Sequence, residues 1–429
     1  MKSFPWIKSL LLVFFVLVCL VYFSGVSSVP FHPDENTQIY TSADVSQWIQ
    51  NPLSLAYTQP DTVDARMRYR LIDSPVSRTL IGLGFWLSGK NPVPVDWDWS
   101  KSWEENNQSG ALPNPDVLLT ARWSVVWMFP ISCLFLFLTA NKLGGWGAAV
   151  LSILLLSTNA LILIHTRRAM AESAMICLLC TSVWGLLCID KRIWIAAIPI
   201  GLVINSKQTT FPLLGVGLLD IFLRPGYRVA NLKRLTQASF FMATILIICW
   251  VLNPVYWKSP FSALQAGLDF RTNLSDQMKS DYRSSFNPLE QFAVLIGQVF
   301  VEPPAIADVG NYKNDTLVQE KHYFLNPINN LFRGFASGAF FLGLTIFGWV
   351  ILIRRLFTKQ ELNRYPVGVF LAITVILCFT IVLFTPAYFQ RYYVALIPLF
   401  IVAQAIGLNS IGFAIYRRIK KGLPTKDSP

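Results

Sequence analysis

The feature that most constrains this chain is a series of apolar runs about as long as a bilayer is thick. They fall at approximately residues 8–29, 117–139, 147–164, 173–189, 193–205, 208–223, 235–252, 332–353, 366–386 and 393–415. A helix needs roughly 20 apolar residues to cross the hydrocarbon core. In lipid its backbone must satisfy its own hydrogen bonds. The pattern therefore predicts an all-α polytopic membrane protein with about ten transmembrane helices. Composition agrees: only 14% of residues are charged, against about 25% in soluble domains. The fifth and sixth runs are short and separated only by "NSKQTT", so they read as half-helices or tilted pieces inside the bundle.

The first run begins like a secretory signal, with a basic start and a small-residue exit. Its apolar core exceeds the 7–15 residues usual for a cleaved signal, so a retained first helix is expected. All seven cysteines lie in apolar stretches, where free thiols act as small hydrophobes. Neither a disulfide framework nor a thiolate metal site is indicated.

The placement of Lys and Arg sets the expected orientation. With the N-terminus inside, the cytoplasmic pieces are the chain start, 140–146, 190–192, 224–234, 354–365 and the tail. They hold 18 Lys/Arg against three acids, Asp190, Glu361 and Asp427. The opposite loop, 30–116, has six basic residues and eleven acidic ones, and 253–331 has six and eight. The net charge of +12 thus belongs to the membrane's inner surface and does not point to nucleic acid. The first outer loop contains the amphipathic stretch "SRTLIGLGFWLSG", expected to lie along the membrane as interfacial helix. Trp97, Trp99 and Trp103 read first as interface anchors and second as platforms for sugar rings.

Charge near membrane depth marks function by default, and four places show it. "HPDEN" puts Asp34 and Glu35 just past the first run; the plain alternative is a helix start, with Asp34 as cap and Glu35 complementing the dipole. "HTRRAMAES", 165–173, carries Arg167, Arg168 and Glu172 in an outer turn. Arg168 and Glu172 stand i,i+4, a spacing that pairs them on a continuous helix. Lys207 is the only charge in "NSKQTT", and Arg391 sits among tyrosines in "YFQRYYVALIP". All four fall on the same expected face. Cations there suit a phosphate, and a carboxylate suits a general base that takes a proton from an attacking hydroxyl or amine. At headgroup level the substrate would be a lipid phosphate ester.

This pattern resembles the GT-C membrane glycosyltransferases, and within them the protein O-mannosyltransferase and aminoarabinose-transferase type, which uses polyprenyl-phosphate sugars. "HPDENTQIY" is similar to that branch's Asp-Glu motif, which implies catalytic roles for Asp34 and its neighbour Glu35. "DSPVSRTLIGLG", 73–84, resembles the juxtamembrane motif, with Asp73 and Val76 departing from its His and Leu and Arg78 replacing its lysine. "LTARWSVV" resembles the start of the second span, with Arg122 as its basic residue. "TRRAMAES" is similar to an element that aligns Arg167 with an arginine and Glu172 with an acid. "FQRYYVALIP" gives Arg391 a place on the phosphate side. The likeness covers about the first 210 residues and the last spans, and 253–331 resembles nothing named.

What the resemblance implies is an inverting transfer of a sugar from a polyprenyl-phosphate carrier to a lipid, glycan or protein acceptor on the extracytoplasmic face. Asp34 is the expected base, with Glu35 and Glu172 as further catalytic acids. Arg167, Arg168, Arg391, Arg78 and Lys207 are the expected phosphate ligands. The expected organisation is a core at 1–252 whose first outer loop carries the catalytic acid, an outer loop region at 253–331, and C-terminal helices with a basic tail at 332–429. Alternatives are a transporter or flippase of a lipid-linked anion and a lipid-linked polysaccharide ligase or polymerase. The first is disfavoured because the spans carry almost no charge away from the outer face, Asp220 excepted. The second has no need of Asp34–Glu35 so close to the first span. No cofactor is firmly implied. A divalent cation is the one candidate, with His32, Asp34, Glu35 and Glu172 as donors, but three histidines and no tight ligand spacing argue against an obligatory ion.

Overall fold

The computed structural model describes residues 5–59, 62–188, 193–224, 231–282, 287–307, 312–358 and 364–422. Among these, regular structure is helical and no strand occurs. Residues 1–4, 190–192, 225–230, 359–363 and 423–429, used above to orient the chain, lie outside the described residues.

The chain enters through α1 (Pro5–Ser24) and reaches α2 (Pro33–Thr41) by a short linker. Further helices of the first loop include α3 (Ala65–Ile72) and α4 (Val76–Ser88). The second apolar run becomes α5 (Pro115–Val126) and the first part of α6 (Met128–Ser157). Gly145 breaks α6 with φ +80°, a region that glycine enters freely. The expected inner turn at 140–146 is therefore helix on both sides of one glycine. α7 (Ala160–Arg167) and α8 (Ala171–Cys188) come next. The two short runs are separate pieces, α9 (Ala197–Ile204) and α10 (Pro212–Leu223), with Lys207 at the break. α11 (Asn231–Leu252) completes the first half.

Among the described residues, six helices or helix runs are long and apolar enough to cross a membrane, and four shorter apolar helices accompany them. The shorter ones include Ser9–Ser24, Trp194–Ile204 and Gln208–Leu223, which sequence counted among ten spans. The fourth, Pro288–Val301, lies inside 253–331, which the sequence places as an outer loop. It contains α13 (Pro288–Ile296) and a π-helical turn at Gly297–Val301. Leu295, Val299 and Phe300 join the main hydrophobic core with the long helices. Its charge, Glu290 in the first turn, hid an otherwise apolar insert.

Around α13 the region 253–331 also holds α12 (Pro260–Tyr282) and α14 (Lys313–Phe324). The chain closes with α15 (Phe335–Phe357), α16 (Arg364–Phe384) and α17 (Ile397–Gly422). α6, α8, α15 and α17 pack together as the centre of the bundle. The Trp cluster is mostly structural. Trp97 is buried beside Phe31, Trp103 and Tyr312 and donates to the Tyr312 hydroxyl at 3.2 Å.

Candidate active site

The start of α2 is built by its own residues. His32 is the cap: its Nδ1 accepts from the Asp34 N–H at 3.1 Å, and Glu35 Oε2 accepts from the His32 N–H at 3.1 Å. Pro33 occupies the first turn, where its missing N–H costs nothing. This is a helix start, as the plain reading held, but His32 caps it and Asp34 does not. Asp34 is left with its carboxylate part-exposed (29%) in contact with the Arg391 guanidinium. His32 Nδ1 lies 3.9 Å from that carboxylate. Because Nδ1 accepts the Asp34 N–H, the contact is not an ion pair. Burial first, then Arg168 and Arg391, hold the His32 pKa well below its usual value.

Adjacent Glu35 has the opposite fate. Its side chain is fully buried. Both oxygens take the Arg122 guanidinium at 2.8 Å, and Oε1 also accepts from the Ala169 N–H at 2.9 Å. Burial pushes the Glu35 carboxyl up, but the Arg122 charge and hydrogen bonds outweigh it and hold the pKa below the ordinary carboxylate value. Glu35 thus fastens α2 to α5 and to the 168–170 turn.

Asp34 opens on a cavity of about 1610 Å³, larger than the roughly 300–1,000 Å³ of common small-ligand sites. Glu172, Lys207, Arg391 and Tyr392 line the same cavity. Lys207 Nζ donates to Glu172 Oε1 at 2.6 Å and to the Arg391 carbonyl at 3.2 Å. Glu172 is buried, and its Oε2 has no hydrogen-bond partner among the described residues. The other wall comes from 95–101 and from Arg271–Asp281 of α12, with Trp99, Lys101, Arg271 and Lys279 beside Asp98, Asp276 and Asp281.

Three of the expected phosphate ligands are elsewhere. Arg167, Arg168 and Arg78 do not line the cavity, and all three are buried. Arg167 donates to the Tyr22 and Val21 carbonyls at 2.9 and 3.1 Å and to Asn329 Oδ1 at 3.0 Å. Gly25 permits this: a Cβ there would collide with the Arg167 guanidinium. Arg168 donates to the Pro30 and Ile306 carbonyls at 3.1 and 2.8 Å. Arg78 donates to the Tyr69 carbonyl at 3.2 Å. The Arg168–Glu172 helical pair does not form either. α7 ends at Arg167, Arg168 is extended (φ −80°, ψ 152°), and Glu172 opens the next helix. Glu172 takes Lys207 instead.

Sequence reasoning passed over Asp96. It lines the cavity and accepts from Thr37 Oγ1 at 3.0 Å and from the Tyr69 hydroxyl at 2.8 Å. Burial raises its pKa despite those bonds. The signal lay in "VDWDW", where Asp96 stands just before the first tryptophan. No group of three or more His, Cys, Asp or Glu arranged to hold a metal occurs among the described residues. Of the four donors considered, Glu35 is committed to Arg122, so that set does not fit an ion.

Solved structures of membrane enzymes share this fold at low sequence identity. ArnT from Cupriavidus metallidurans, in a structure bound to undecaprenyl phosphate, superposes with a TM-score of 0.55 and 13% identity, over 95% of this chain and 63% of that one. The Archaeoglobus fulgidus oligosaccharyltransferase in complex with Zn and sulfate gives 0.51 at 14% identity, over 94% and 50%. AglB from the same organism, in complex with an inhibitory peptide and a dolichol-phosphate, gives 0.50 at 11% identity, over 99% and 53%. The chain therefore spans less than two thirds of the length of these relatives. No known family profile and no curated protein matches the sequence.

Proposed function

We propose that this protein is a glycosyltransferase that moves a sugar from a polyprenyl-phosphate carrier to an acceptor at the extracytoplasmic surface. Asp34 is the general base, and Arg391 and Lys207 hold the phosphate. The observation that carries the reading is the contact between the Asp34 carboxylate and the Arg391 guanidinium at the mouth of one cavity. A base and a phosphate ligand side by side are what a displacement at a sugar–phosphate bond requires.

The acceptor O–H or N–H loses its proton to Asp34 as its lone pair attacks the anomeric carbon. The carbon–oxygen bond to phosphate breaks, and the electron pair leaves on the phosphate oxygen. Charge grows on that oxygen during the step, where Arg391 and Lys207 stabilise it. The products are the glycosylated acceptor and the free polyprenyl phosphate. With one base on one side of the sugar, the anomeric configuration inverts. Glu172 positions Lys207, and Glu35 positions the start of α2; neither takes the proton. Arg167, Arg168 and Arg78 are left out because they are buried, do not line the cavity and donate to protein carbonyls. The mixed-charge wall of 95–101 and α12, with exposed Trp99, receives the acceptor, a lipid, glycan or protein.

The test is to incubate purified protein with a small panel of radiolabelled polyprenyl-phosphate sugars and to follow release of the lipid phosphate. Release from one of them, dependent on an acceptor, supports the reading. Movement of the labelled lipid across liposomes without cleavage would sink it in favour of a flippase.

A further inference from the structure

We propose that Gln390 is a positioning residue that sets Arg391 in the cavity by tying its turn to the segment 298–305. The proposal rests on the reading of Arg391 as a phosphate ligand. Gln390 does not line the cavity and is 1% exposed. Its amide is used at both ends. Oε1 accepts from the Ala305 N–H at 2.7 Å, and Nε2 donates to the Gln298 and Pro303 carbonyls at 3.2 and 3.1 Å.

The sequence explains why those partners are waiting. Beyond α13 the helix loosens into the π-helical turn Gly297–Val301 and then meets Pro303 and Pro304. Prolines bring no N–H to continue a helical ladder, and π turns leave backbone groups out of regular register. The Gln298 carbonyl accordingly takes a second donor, Arg333 Nη2, at 2.7 Å. One primary amide offers an acceptor oxygen and two N–H donors. That is the complement of one N–H and two carbonyls presented together. Glutamate loses the donors, and shorter asparagine loses the reach.

Arg391 is the next residue, in a three-residue helical turn, Gln390–Tyr392. Its guanidinium carbon lies 5.4 Å from the centroid of Phe389 and 5.6 Å from that of Tyr392. Its carbonyl accepts from Lys207. The turn is therefore pinned on one side by Lys207 and on the other by Gln390. A turn this short has little slack, so movement at 390 passes to the guanidinium. The same region holds the other side of the site: Gln319 Oε1 accepts from the Phe31 N–H at 3.1 Å, just ahead of the cap of α2. The segment 298–305 and Gln319 of α14 are thus bonded to the two backbone pieces that carry Arg391 and Asp34.

The experiment measures binding of undecaprenyl phosphate to the full chain in nanodiscs, for wild type, Gln390→Ala, Arg391→Ala and the double variant, with melting temperature beside each. A single lost positioning contact of this kind is expected to weaken binding about tenfold, and two residues acting as one unit do not add. The double variant should therefore bind no more weakly than Arg391→Ala alone. Gln404→Ala is the matched control. It is a buried glutamine whose Nε2 donates to Thr345 Oγ1 at 3.0 Å and which does not line the active-site cavity. It should lower the melting temperature and leave binding unchanged. If Gln390→Ala does not fold, Gln390→Glu replaces it, keeping the acceptor for Ala305 while losing both donations, again with weakened binding. Wild-type affinity in Gln390→Ala, or full additivity with Arg391→Ala, overturns the proposal while leaving the function reading intact. Failure of wild type itself to bind the lipid phosphate overturns both.

Discussion

Two short turns carry arginines at the ends of helices, 166–172 and 389–392, and they use them in opposite ways. Arg167 and Arg168 point into protein and spend their donors on carbonyls. Arg391 lines the cavity and meets Asp34. The difference lies in what surrounds each turn. α1 ends at Ser24, so the Val21 and Tyr22 carbonyls belong to its last turn, where the regular helical donors run out: Val21 takes the Ser24 hydroxyl at 2.9 Å and Tyr22 the Gly25 N–H at 3.3 Å, and each carbonyl can accept a further, charged donor. Arg167 supplies that donor, and its charge suits the negative end of the helix. The linker 26–30 is likewise irregular, and Arg122 and Arg168 satisfy its carbonyls. The 389–392 turn faces the cavity instead, and Arg391 meets the Asp34 carboxylate there. Arginine on the expected outer face was thus a sound signal of unusual chemistry, but half of that chemistry is architectural.

The contrast breaks most readily at the buried set. Arg122→Ala strands the Glu35 carboxylate and should cost roughly 3–5 kcal/mol of stability, seen as a large fall in melting temperature. Arg167→Ala should cost roughly 1–3 kcal/mol, chiefly by taking the donor away from buried Asn329 Oδ1. Donor affinity measured on any folded fraction should stay at the wild-type value. Arg391→Ala should do the reverse. Loss of a charged hydrogen bond is worth about 2 kcal/mol, or roughly thirtyfold in affinity for lipid phosphate, with little change in melting temperature. Equal melting temperatures for the Arg167 and Arg391 variants would erase the distinction drawn here.

The smallest effect concerns pH. The Glu35 pKa is depressed from its ordinary 4.5, so the unfolded chain binds this proton more readily than the folded one. Its stabilising contribution is complete at neutral pH, begins to fall near 4.5, and is lost once pH drops below the depressed folded value. Melting temperature against pH should therefore fall less steeply below 4.5 in Glu35→Gln than in wild type. Parallel curves would mean that Glu35 does not carry the linkage.

The membrane class of the fold was legible because apolar runs of spanning length have few other solutions. The break at Lys207 was legible for a similar reason, since a lone charge between two short runs cannot lie in lipid. The insert around α13 was not, because sequence gives no sign of whether an amphipathic nonet packs inward or lies along a surface. Asp34 could be singled out by its position after the first span. Its division of labour with Glu35 could not. That division depends on Arg122, 87 residues away, and on which face of a nine-residue helix meets α5. Pairing of Glu172 with Lys207 was hidden in the same way: the local partner at i−4 looked sufficient until the chain straightened at Arg168.

The most direct measurement is the rate at which Asp34→Asn releases polyprenyl phosphate from the best sugar donor, set beside its binding of undecaprenyl phosphate. Removing a general base should slow release by about 10³-fold while lipid-phosphate binding and melting temperature persist. A variant that turns over at the wild-type rate would contradict the assignment of Asp34 and the account built on it.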